Sequence, residues 1–414
     1  MSTVTITIEK LGAQGHGVAE SEYGTVYVPN ALPGETLAIA RNGDYGTVMS
    51  TSNISPDRIE PVCRHFNPDG DNCGGCSLQH LAAPAYNAFK RELVIDALKA
   101  RGLTPEVGET IECHPGERRR TVFSVRRTEK ELLLGFNRAE TNHIVSIEEC
   151  PIASPGIVAR LPAIRTVAAA LAQGSESFHL TVLETLSGLD LAADGLKKLD
   201  DKQRRTVTEA VLSLKGIARV SVNGEIVLEP TKPIIEFGGV NVSPPPGAFT
   251  QATKPAEEAM AELVMSHLGK AKRVIDLFAG SGTFSLRIAR KAKVHAVEGE
   301  DKSIKALDLA ARNTQGLKPV TVEKRDLFRR PMTAQELKVY DAAVFDPPRA
   351  GAEVQVKELV RSGIKTVVAV SCNPATLARD LKILVDAGYR IKSVTPIDQF
   401  LWSPHVEAVA LLSR

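Results

Sequence analysis

The chain has 414 residues and an apolar fraction of 43%, enough for two or three domains with sizeable cores. Its formal net charge is only +2, which excludes a global basic field, so any nucleic-acid contact must come from local patches. The first residues alternate like a strand and lack the apolar stretch of a signal peptide. No apolar run reaches the roughly 18 residues of a membrane span. A soluble, cytoplasmic protein is expected, with no obligate protein partner evident and a monomer anticipated.

Residues 1–55 read as all-β. Alternation over 3–8, apolar stretches at 25–28 and 35–40, and a further one at 45–49 predict four short strands. Gly12, Gly15 and Gly17 mark tight turns between them, which suggests a small barrel. Barrels of this size serve either as RNA-binding modules or as plain packing units.

The six cysteines are unevenly placed. Cys73-Gly-Gly-Cys76, with Cys63 before it and Cys150-Pro after it, makes a four-thiolate set suited to zinc or to an iron–sulfur cluster. His65 and His80 lie near but read as supporting residues, and Cys113 reads as a structural thiol. Residues 85–101 follow as an amphipathic helix with Lys90, Arg91 and Lys99 on its polar side. Arg118, Arg119, Arg120, Arg126 and Arg127 flank a β-like stretch and form the densest basic patch, with phosphate contact expected. Residues 151–240 read as mixed helix and strand, from a helix at about 157–172 to a strand at about 234–240. The Pro-rich stretch at 243–247 is a plausible boundary.

After it the pattern becomes strand, glycine turn, helix. Asp276-Leu-Phe278-Ala-Gly280-Ser-Gly282-Thr283 brings backbone close to a ligand at a helix start but lacks the third glycine of a dinucleotide turn. Glu298 ends a second strand and Asp326 a third unit, positions that suit ribose hydroxyls. A nucleoside without a pyrophosphate, such as S-adenosylmethionine, fits this spacing better than NAD. Asp346-Pro-Pro-Arg349 ends the fourth strand. An apolar fifth strand stops at Ser371-Cys372-Asn373-Pro374, which puts a thiol at the carboxyl end of a parallel strand, where α/β sheets bind ligands. Glu407 opens the last strand and is either solvated or aimed into the site.

Together these motifs resemble the RNA 5-methyluridine methyltransferase family, most nearly its iron–sulfur members that act on bacterial 23S rRNA. The likeness covers nearly the whole chain, with motifs in order and at the right spacing. It implies an α/β fold with a Rossmann-like S-adenosylmethionine-dependent methyltransferase domain at 241–414. It further implies an N-terminal OB-like (TRAM) barrel at 1–55 that binds RNA, and a central α+β iron–sulfur domain at 56–240. It implies Cys63, Cys73, Cys76 and Cys150 as [4Fe-4S] ligands, and cofactor contacts from Gln251, Phe278, Thr283, Glu298, Asp326 and Asp346. Cys372 matches the family's nucleophile, Glu407 its general base, and Asp346 a positioning carboxylate.

The residues carry the same chemistry. Thiolate addition at C6 of uracil makes C5 nucleophilic, and a base then removes the C5 proton. Arg349 after Pro347-Pro348, in place of an aromatic, disfavours a stacked amine substrate. A fourth-strand motif without cysteine disfavours cytidine chemistry. The RNA is expected to be rRNA, with tRNA the alternative. A non-catalytic RNA-binding iron–sulfur protein is a competing reading.

Overall fold

The computed structural model describes residues 3–22, 24–67 and 72–414. Met1, Ser2, Tyr23 and residues 68–71 of the Cys63–Cys76 stretch lie outside the described residues.

A six-stranded sheet runs in the order Thr3–Thr7, Thr36–Asn42, Tyr45–Asn53, Gly24–Val28, Gly17–Ser21, Lys10–Leu11. Glu9 N donates to Val18 O, which brings the first strand back onto Gly17–Ser21. The inward residues Ile6, Ile8, Val26, Val28, Leu37 and Ile39 form its core. Two of these strands, Lys10–Leu11 and Gly17–Ser21, fall where the sequence suggested only turns. Gly17 is in a strand because of packing: a Cβ there would stand 2.8 Å from Ala31 O.

A seven-stranded sheet follows, built from Arg120–Arg127 to Glu225–Leu228. Helices Leu161–Leu171 and Asp201–Leu212 share its apolar core. The helix expected over 157–172 is interrupted, with Pro155–Val158 and Leu161–Leu171 as separate pieces and Pro162 starting the second. The strand expected at 234–240 is a hairpin of Ile235–Phe237 and Val240–Val242. It turns at Gly238 and Gly239, both with positive φ (58° and 79°).

The third sheet has the order Val320–Lys324, Lys293–Glu298, Arg273–Leu277, Ala342–Phe345, Thr366–Ser371, Glu407–Ser413, Arg390–Ile397. All pairings are parallel except those of Glu407–Ser413, which is antiparallel to both neighbours. Its central strands are apolar on both faces because buried cores cover both. The order reverses between Arg273–Leu277 and Ala342–Phe345, the switch point where such sheets bind ligands. Helix Ala83–Lys99 lies before the second sheet in the chain, yet its Val94 and Leu98 belong to the core of the third. Its Lys90, expected on the polar side, is 0% exposed and lies 2.8 Å from Asp398. No helix of the described residues is long and apolar enough to cross a membrane.

Candidate active site

Strand Thr366–Ser371 ends where Asn373 caps the next helix, its side chain accepting from Ala375 N at 3.1 Å. The thiol of Cys372 is therefore held in the tight link between strand and helix, partly exposed and free. Ser371 pairs with Ala408, so the register carries Cys372 and Glu407 to the same end of two adjacent strands. Burial, then the negative charges of Glu407 and Asp346, push the Cys372 thiol up to about 11, against the opposite pull of Arg349.

A chain of side-chain amides joins the two carboxylates. Gln251 Nε2 donates to Asp346 Oδ2 at 3.0 Å, Gln399 Nε2 donates to Gln251 Oε1 at 2.8 Å, and Gln399 Nε2 also donates to Glu407 Oε2 at 2.6 Å. Ala252 N fixes the Gln399 carbonyl at 2.9 Å and hence the direction of its amide. Glu407 is 2% exposed, which rules out a solvated strand end. Its Oε1 is buried without a hydrogen-bond partner among the described residues. Burial first, then the charge of Asp346, hold the Glu407 carboxyl well above its ordinary range, while the Gln399 bond works against them. Burial raises Asp346 to about 7. The sequence does not point to Gln399, because nothing local distinguishes a glutamine after an apolar strand.

At the glycine turn Phe278 takes φ +63°, uncommon for a bulky residue, with its ring 5.5 Å from Phe328. Gly282 (φ +106°) is required by packing, since a Cβ would sit 3.0 Å from both Leu286 and Leu307. Glu298 accepts from Gly280 N at 2.9 Å and from Glu300 N at 2.8 Å, so this carboxylate braces the turn it faces. Asp326 is exposed and caps its own loop through Phe328 N and Arg329 N. Thr283 is half-buried and offers its carbonyl to Arg287. Asp276, noted only as part of the motif, is 1% exposed and raised to about 7 by burial. Ser285 donates to its Oδ2 at 2.5 Å. These residues surround the carboxyl ends of three neighbouring parallel strands, a cradle whose carboxylates suit hydroxyls and a cationic centre.

Cys63, Cys73, Cys76 and Cys150 line one pocket together with His65, Phe66 and Gln79, and all four are free thiols. Burial raises each of them; neighbouring thiols add to the rise at Cys73 (about 11), Cys76 (about 12) and Cys150, and Glu149 adds to it at Cys63. Such a set keeps its protons unless a cation displaces them. The compact ligand group expected for one metal ion is not found: among the described residues no set of three or more His, Cys, Asp or Glu is arranged to hold an ion. His65 and His80 are occupied otherwise. His65 Nε2 accepts from Glu148 N at 3.1 Å, and His80 stacks on Phe66 with burial lowering it to about 4. Cys113 is buried with its sulfur 3.3 Å from Thr253 Oγ1.

The basic patch is divided. Arg119 is bound to buried Glu257, so it is not a free phosphate contact, while exposed Arg127 gives one nitrogen to the Ala169 carbonyl. Arg118 and Arg120 remain half-buried, Arg120 with its guanidinium 6.0 Å from the ring of Phe249. Phe249 is 68% exposed, two residues before Gln251. Arg118 and Arg349 both depress His405, after burial. Arg349 is the cationic group whose charge acts on Cys372.

A third sheet of this order, with a glycine turn beside its switch point, is a doubly wound α/β arrangement that binds ligands at that point. The family model for tRNA (uracil-5-)-methyltransferases matches residues 101–414, and the TRAM domain model matches residues 1–40. The chain belongs to this family of RNA methyltransferases. It is 66% identical to an uncharacterized RNA methyltransferase of Agrobacterium fabrum over the full length of both chains. It is 31% identical to the 23S rRNA (uracil(1939)-C(5))-methyltransferase RlmD of Hahella chejuensis, over 100% of this chain and 97% of that one. Among solved structures it resembles the Pyrococcus abyssi tRNA (uracil-54, C5)-methyltransferase in complex with S-adenosyl-L-homocysteine. That likeness covers 99% of each chain with a TM-score of 0.76 and 24% identity, a likeness of fold.

Proposed function

We propose that the chain methylates C5 of a uridine in RNA, with 23S rRNA the preferred substrate and S-adenosylmethionine the methyl donor. What carries this reading is the convergence of Cys372, Glu407 and Asp346 at one end of the sheet, joined through Gln251 and Gln399. The substrate preference rests on the full-length likeness to an rRNA uracil methyltransferase. The chain works as a monomer divided into a barrel at 1–55, a central part at 56–240 and a catalytic part at 241–414.

In this reading Cys372 Sγ bonds to C6 of uracil and the electron pair moves to C5. C5 takes the methyl group, and S-adenosylhomocysteine leaves. Glu407 removes the C5 proton, the double bond returns, and the Cys372 thiolate departs. A thiol raised to about 11 in the free protein is a weak nucleophile, so thiolate formation belongs to the complex, where a bound sulfonium lowers it. Asp346, fixed by Gln251, orients the base or the cofactor's methionine portion. Gln251, Phe278, Thr283, Glu298 and Asp326 hold the cofactor. Arg118 and Arg120 contact phosphate and Phe249 stacks on a base. The target leaves its stack to reach the pocket, which favours loop or single-stranded RNA.

Cys63, Cys73, Cys76 and Cys150 would hold a [4Fe-4S] cluster, supported by four free thiols lining one pocket. Methylation moves no net electrons, so the cluster would supply positive charge and cross-links that stabilise the loop, and no redox step. The test of the nucleophile is RNA carrying 5-fluorouridine. The native chain should form a denaturation-resistant adduct with it and Cys372→Ala none; an adduct with Cys372→Ala refutes the assignment.

A further inference from the structure

Lys90 has no part in the chemistry above, yet its side chain is completely buried. Its Nζ lies 2.8 Å from Asp398 Oδ1 and donates to Phe400 O at 3.2 Å and to His405 O. All three partners belong to residues 398–405, the turn between strands Arg390–Ile397 and Glu407–Ser413. The same turn is gripped at its tip. Ser77 N and Leu78 N donate to Trp402 O at 2.8 and 3.0 Å, and Trp402 N donates to Tyr86 Oη at 2.7 Å. Trp402 takes φ +55°, a left-handed conformation that a bulky residue holds only when its surroundings enforce it.

Both ends of this turn reach the site. Gln399 adjoins Asp398 and holds Glu407 Oε2, and His405 is two residues before Glu407. A buried lysine is a costly way to fill a core, and an apolar side chain would pack there without desolvating a charge. What the amine offers is one compact charge with several donors, met here by an ion pair to a carboxylate and hydrogen bonds to two carbonyls of a single turn. We infer that Lys90 is a positioning residue: by fixing residues 398–405 it sets the Gln399–Glu407 pair for removal of the C5 proton. The inference rests on the reading of Glu407 as base.

A misplaced base slows the steps after methyl transfer and leaves earlier steps intact, a signature that plain destabilisation does not produce. Full-length Lys90→Met, the charge-balanced double variant Lys90→Met/Asp398→Asn and Glu407→Gln are compared on unmodified 23S rRNA with methyl-labelled S-adenosylmethionine. The double variant guards against a single change that fails to fold by stranding Asp398. The expected result is methyl transfer at near-native rate in the first turnover. Release then slows roughly tenfold to a hundredfold, so that labelled covalent protein–RNA complex accumulates while the KM for S-adenosylmethionine is unchanged. Release at the native rate in the double variant, or loss of activity without a labelled adduct, overturns the inference while an adduct in Glu407→Gln leaves the base assignment standing. No adduct in Glu407→Gln overturns both.

Discussion

Gln399 donates its amide to Glu407 at 2.6 Å, and that is the one hydrogen bond the buried carboxylate receives among the described side chains. The bond favours the ionised form against burial and against Asp346. Replacing Gln399 by Leu removes it, and the Glu407 carboxyl rises further. A base must be ionised to act, so the acid limb of the pH–rate profile moves to higher pH. The rate at pH 7 falls with it, by about tenfold for each pH unit that the limb moves. A profile of kcat against pH for Gln399→Leu checks this; an acid limb that stays in place contradicts it.

Asp276 is held at about 7, far above an ordinary aspartate, first because it is buried. The folded free chain therefore binds a proton more tightly than the unfolded chain. That stabilising contribution is complete below about 4 and is lost as pH rises through about 7. Asp276→Asn keeps an acceptor for Ser285 and has nothing to ionise. Without cofactor it should match the native chain near pH 4 and exceed it at pH 8 by a few kcal/mol, at about 1.4 kcal/mol for each tenfold difference in proton affinity. Urea denaturation at several pH values measures the difference, and a constant difference would sink the account.

Glu257 is fully buried between Arg119 and Arg287, which come from different sheets' surroundings. Glu257→Gln leaves Arg119 without its carboxylate partner and Arg287 with Glu258 alone. The expected loss is about 3–5 kcal/mol, seen as a lower urea midpoint. A loss under about 1 kcal/mol, the size of an exposed pair, would show that the triad is solvated.

Removal of one ligand tests the cysteine pocket. Anaerobically prepared protein should contain iron and sulfide and be brown, and Cys73→Ser should lose the colour, lower the iron content and melt earlier. A colourless native protein binding one zinc would replace the cluster with a single ion.

The third sheet is legible in the sequence because its strands are apolar runs punctuated by glycine, proline and acidic ends, a pattern set by burial on both faces. The barrel is half legible. Strand Gly17–Ser21 is hidden because glycine marks turns as often as close packing, and only the approach of Ala31 distinguishes them. Helix Ala83–Lys99 is expected, but the burial of Lys90 is not, since a lysine on a helix reads as solvated until Asp398 is brought to it by tertiary folding. Arg119 is lost to phosphate for the same reason, its partner Glu257 being far along the chain. The glutamine link between Asp346 and Glu407 likewise exists only in three dimensions, so no spacing along the chain could reveal Gln399.

The central claim is methylation of uridine C5 in RNA. Its most direct measurement is transfer of labelled methyl from S-adenosylmethionine to unmodified 23S rRNA and to unmodified tRNA, followed by nucleoside mass spectrometry. The account predicts 5-methyluridine in the rRNA, absent with Cys372→Ala. Label in tRNA alone would contradict the substrate, and a methylated nucleoside other than 5-methyluridine, or no label with the native chain, would contradict the reaction itself.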